Sequence, residues 1–221
     1  MASLSVDSAQ GVRTGSLLAA CVAGHGSATH PYFGSGLLLS GPEASRNLAD
    51  AIHLLCALHG RHPGVVDHAA TRTVEPAGRA WLVSAAAAAV AERTLLTRLA
   101  VAAGPIPSTP GGGGSEAAIQ AQRGALATLA QSDRKGTALG AALAFASDWA
   151  PVRRIVIEAA ARRLSIEVAP NGFGDEEILR TVADEAGATE RALLFGAQQL
   201  ALQHRALWDL LEARQQARHG G

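Results

Sequence analysis

Six of the eight histidines, His25, His30, His53, His59, His62 and His68, fall within 44 residues of a 221-residue chain, and only His204 and His219 lie beyond. Neutral imidazole is the commonest ligand of transition metals and titrates near neutral pH, so this crowding marks where chemistry would be sought. Asp50 and His53 stand three residues apart in a segment of helical periodicity, which puts a carboxylate and an imidazole on one face, within reach of one ion. Helical di-metal bundles use two such pairs. The chain has one Asp-x-x-His and no second copy, so a solvated ion pair explains it as well.

Two further ionisable residues interrupt apolar seams. Trp81, Ala85, Ala88, Glu92, Leu95 and Leu99 recur at helical spacing, and so do Leu193, Ala197, Leu200, His204, Leu207 and Leu211. A carboxylate on such a stripe needs a cation: a metal, or an arginine such as Arg154 or Arg162. An imidazole there is either a ligand or a core residue satisfied by one hydrogen bond. The metal reading joins Glu92 and His204 to His53, His59 and Asp50 around Fe, Mn or Zn, as in a helical oxidoreductase. His59, His62 and the Asp67–His68 pair otherwise read as solvated residues of a turn. Nucleophile and phosphate-loop motifs are missing: there is no Gly-x-Ser-x-Gly, and Gly111–Gly114 is not followed by Lys-Ser/Thr.

The elements that would position these groups are helices. With 48 Ala and 27 Leu against four Phe, three Trp and one Tyr, the composition favours close-packed rods over a sheet. Apolar spacing predicts a helix from Pro42 to Gly60 and a short turn after Pro63. A long helix follows from Pro76, at its first turn, to Ala103. Further helices span 115–132, 137–149 and the segment restarted by Pro151. Another starts at the acidic cluster Asp175–Glu177, and a last one, capped by Thr189, runs for about 28 residues to roughly Ala217. Residues 25–42 read as an ordered loop, and Leu164–Val168 as a helix end rather than a strand. The expected fold is therefore all-α, a bundle of about eight helices with no significant β-sheet. Residues 1–221 form one helical domain, in which the Gly/Pro linker 104–115 is either an excursion or a divider between 1–103 and 116–221.

Charges balance at nineteen of each sign and make up 17% of the chain, which argues against disorder and against nucleic acid as a partner. No apolar run is long enough for a transmembrane helix. Leu18-Ala19-Ala20-Cys21 has the order of a lipoprotein cleavage box, but Asp7 and the lack of a basic residue before Arg13 oppose it. Two unpatterned cysteines fit a reducing cytoplasm, and eighteen Arg against one Lys fit a high-GC bacterial genome. The expected function is a non-catalytic binding or interaction module, with homo-oligomerisation through the C-terminal helix. The alternatives are the metal-dependent oxidoreductase and a small-molecule sensing domain. The last requires a cavity of about 300 Å³ or more, walled by Leu and Ala with few charges and lidded by the loop His30-Pro31-Tyr32-Phe33.

Overall fold

The computed structural model describes residues 13–219, and among these there is no strand. The helices are α1 (Thr14–His25), α2 (Gly36–Leu39), α3 (Ala44–His59), α4 (Val65–Arg72), α5 (Pro76–Ala103), α6 (Gly112–Ala130), α7 (Thr137–Val152), α8 (Glu158–Arg163), α9 (Glu176–Glu185) and α10 (Glu190–His219). A π-helical turn, Arg153–Ile157, joins α7 to α8 as one rod. The protein is an all-α helical bundle, as the apolar spacing requires.

The run from Thr137 to Ala146 carries no charge and is buried all round, the pattern of a helix at the centre of a core. Around α7 stand α1, α4, α6, α9 and α10. One apolar core runs from Leu18 to Leu211 and draws on both sides of the 104–115 segment. The α7–α10 crossing is set by two glycines. A Cβ at Gly140 would lie 1.9 Å from the Leu193 carbonyl oxygen, and one at Gly196 would lie 2.1 Å from that of Thr137. Only glycine permits backbones to meet this closely. The seam of α10 is spent inside the chain, leaving Phe195 and Leu202 on its outward side.

Three local expectations change. The 25–42 loop contains a 3₁₀ turn at Ser27–Thr29 and the short α2, and Tyr32 and Phe33, expected in a lid, are buried in the core. Pro151 does not restart the chain: it lies inside α7, and the helix continues through the π turn, where the Glu158 N–H reaches back to the Arg153 carbonyl. Proline cannot donate to the preceding turn, and the wider π spacing reopens the ladder without ending the rod. Thr189 stands just before α10, which opens at Glu190 as expected of a helix capped there, and it closes a 3₁₀ turn at Gly187–Thr189.

The last change shortens the linker, because α6 begins at Gly112. Gly111 caps it in the left-handed region at φ 73°, and Gly112, Gly113 and Gly114 are already helical. A Cβ at any of these three would meet nothing within 4 Å. Gly113→Ala is therefore expected to raise stability by about 0.5–1 kcal/mol, read as a higher midpoint in urea unfolding with unchanged slope.

Candidate functional site

Two polar centres lie inside the bundle. The first forms where α7 passes α3, α5 and α10. Asp148 is 1% exposed and is the single charged residue between Lys135 and Arg153. Its Oδ2 accepts from His204 Nδ1 at 2.7 Å and from the Ser27 hydroxyl at 2.5 Å, and its Oδ1 accepts from the Ser27 N–H at 2.8 Å. The carboxylate thereby fixes the His204 proton on Nδ1 and leaves Nε2, which is buried without a partner.

His59, at the end of α3, faces that ring with centroids 4.9 Å apart. Phe145 and Trp149, stacked at 5.2 Å, complete an aromatic box around it. Its Nε2 is also buried without a partner. Burial, seconded by the neighbouring His204, holds the His59 pKa well below the ordinary histidine value. A small cleft of about 60 Å³, lined by His59, Glu92, Arg93, Phe145 and Trp149, opens beside it.

Glu92 points inward, and an arginine satisfies it, though neither Arg154 nor Arg162. The Arg153 Nε donates to Oε1 at 2.9 Å and the Trp149 indole N–H donates to Oε2 at 3.0 Å. Arg153 also donates to the Ala169 carbonyl.

The depressed pKa of His59 has a measurable consequence. The unfolded chain takes up a proton near pH 6.5 that the folded chain refuses until lower pH, so stability contributed by the neutral ring is present above pH 6.5 and lost below it. The slope is at most about 1.4 kcal/mol per pH unit for one proton. Between pH 7 and pH 5 the urea midpoint is expected to fall, and His59→Phe, which suits the aromatic box, is expected to flatten that fall.

The second centre joins α3 to the end of α10. Asp50, 1% exposed, accepts from Arg214 Nη2 at 2.8 Å and Nε at 3.2 Å, and also from Arg218 Nη1. Arg218 further donates to Asn47 Oδ1 at 2.6 Å and to the Thr109 hydroxyl at 2.8 Å. Arg214 donates to the Pro107 carbonyl at 3.1 Å. Nearby Tyr32 is pushed up to about 12 by burial, with Arg218 opposing the rise, so its phenol keeps its proton at ordinary pH. His53 does not join Asp50: its Nε2 donates to the Gly104 carbonyl at 2.8 Å. These contacts pin residues 104–109 against the bundle.

Beneath this segment, between α3, α6 and α10, lies a cleft of about 560 Å³. Leu54, Ala57, Ile106, Pro107 and Ile119 form apolar wall, and His53, Glu116 and Arg214 supply the ionisable groups.

Of the five residues expected around a metal, then, His59 and His204 meet ring to ring, and Glu92 is tied to the same box through Trp149. Asp50 and His53 engage the second centre by separate contacts. Among the described residues no group of three His, Cys, Asp or Glu side chains is disposed to hold a metal ion. The other clustered histidines disperse. His30 bonds Asp209 at 2.9 Å, His62 lies by Asp67 and Arg93, and His68 lies near Gln131. Asp67 accepts from the Gly64 N–H at the start of α4 and from Arg93. Cys21 is half-buried in α1, with its thiol pushed up by burial. His219 side-chain contacts and Asp7 lie outside the described residues.

Sequence reasoning missed Ser27, Asp148, Arg153, Arg214 and Arg218. Three carried a signal. Asp148 is a lone charge in an apolar run, and Arg214 and Arg218 extend the seam Leu200, His204, Leu207, Leu211 by further steps of three and four.

Fold and site together define a helical bundle with two buried polar centres and a mostly apolar cleft. The chain belongs to the family of unknown function DUF6975, whose match covers residues 22–219. No curated protein and no solved structure matches it.

Proposed function

We propose that the protein is a non-catalytic small-molecule-binding module whose site is the cleft beneath residues 104–109. The observation that carries this reading is the cleft itself. At about 560 Å³ it falls in the range of small-molecule sites, and it combines apolar wall with a few polar groups held by the bundle. The Gly/Pro segment roofing it is anchored by His53 and by Arg214 and Arg218, so much of the shape exists before a ligand arrives.

The test is uptake of a neutral naphthylamine dye whose fluorescence rises in apolar surroundings. Wild type is expected to bind it. Ala57→Phe, which fills the cleft from a partly exposed position on α3, is expected to abolish the signal while leaving the unfolding free energy within about 1 kcal/mol of wild type. Dye binding that survives Ala57→Phe defeats this reading.

The partnerless Nε2 atoms of His204 and His59, on rings whose centroids are 4.9 Å apart, favour a second reading, a metal centre for redox chemistry. The Asp148 carboxylate on His204 Nδ1 is the outer-shell arrangement common to metal-bound histidine. Stoichiometric Fe, Mn or Zn in protein purified without a tag, lost in His204→Ala, would support it. Association of two copies through α10 would fall to the face at Phe195 and Leu202. Two unpaired thiols, Cys21 and Cys56, support a reducing cytoplasm as its compartment.

A further inference from the structure

The ligand class follows from the charges at the second centre. Among the described residues, the hydrogen-bonded cluster sets two cations, Arg214 and Arg218, against the one buried carboxylate they share, with Glu212 acting beside it on Tyr32, outside these bonds to Asp50. Arg218 Nε is buried without a partner, a further sign that its donors exceed the acceptors around them. Arg214 lines the cleft, and its contacts to Asp50 and Pro107 use Nε and Nη2, which leaves Nη1 out of those bonds. A guanidinium in this condition is a donor for a carboxylate, and its fixed fork adds geometry to charge. His53, with Nε2–H committed to the Gly104 carbonyl, cannot turn that hydrogen towards a ligand anion. Glu116, exposed at the other side of the cleft, repels a second negative charge there. Leu54, Ala57 and Ile119 provide the contact for an uncharged body.

We infer that the cleft takes a monocarboxylate with an apolar body, its carboxylate on the Arg214 guanidinium and its chain along the wall formed by α3 and α6. This rests on the cleft being the binding site. The inference concerns which end group it selects.

The experiment displaces the bound dye with octanoate, octanol and octylamine, which share a chain and differ in charge. Octanoate is expected to displace it at about tenfold lower concentration than octanol, the effect of one hydrogen bond to a charged group. Octylamine is expected to do no better than octanol. High salt is expected to narrow the octanoate advantage. Arg214→Lys, which keeps the charge and loses the fork, is expected to weaken octanoate several-fold and leave octanol unchanged. Because Arg214 also holds Asp50 and its variants risk unfolding, the ligand series on wild type decides alone. Equal potency of octanoate and octanol, or a preference for octylamine, overturns the monocarboxylate and leaves the cleft a binding site. Absence of dye uptake overturns the site and the ligand class with it.

Discussion

Asp50→Asn is expected to cost about 3–5 kcal/mol, although it changes one atom for another of nearly the same size. Among the described residues, the hydrogen bonds to the Asp50 oxygens come from arginine N–H groups, Arg214 Nε, Arg214 Nη2 and Arg218 Nη1. Guanidinium has no acceptor and keeps its charge. The amide of Asn must present one NH₂ to a donor and leaves two buried cations without an anion. The fall in stability should appear as a large drop in the urea midpoint. Removing one cation at the same time should recover part of it: Asp50→Asn with Arg218→Met is expected to be more stable than Asp50→Asn alone. A double variant no better than the single one would show that Asp50 does not serve to neutralise that pair.

Asp148 is expected to behave differently, although it is equally buried. Asp148→Ala strands the Ser27 hydroxyl, the Ser27 N–H and His204 Nδ1 in the core, at a cost of about 3–5 kcal/mol. Asp148→Asn should cost only about 1 kcal/mol. Its carbonyl can still accept from the Ser27 N–H. Its NH₂ then faces a hydroxyl and an imidazole, and both can accept, the imidazole by moving its proton from Nδ1 to Nε2. The ¹⁵N shifts of His204 should therefore report the opposite tautomer in Asp148→Asn. A severe Asp148→Asn, as damaging as Asp148→Ala, would mean that His204 depends on the negative charge and not on the acceptor alone.

The contrast shows how much of this molecule local pattern could carry. Pro76 at the first turn and Gly104 after the last fixed both ends of α5, because those signals act on the residues beside them. Seam interruptions correctly marked Glu92 and His204 as inward. Their partners were not legible, since Arg153 lies 61 residues from Glu92 and Asp148 lies 56 from His204, and nothing local encodes a contact across that span. Histidine crowding misled for the same reason. Closeness in sequence put six imidazoles in one stretch, and the turns between α1, α3 and α4 sent them to different neighbours. At Gly112–Gly114 the sequence reads as linker because each glycine costs about 1 kcal/mol in a helix, and the helical run that follows carries them along regardless.

The glycine contact between α7 and α10 has an effect at a distance. Gly140 stands opposite Gly196 with the same offset of 56 residues that separates Asp148 from His204, so the two rods run in one direction and the acid–imidazole pair lies about 12 Å along from the pivot. The pair of bare Cα atoms thus works like the rivet of a pair of shears. A methyl group added at the rivet would spread the blades, and the first thing to lose its grip would be a hydrogen bond two turns away.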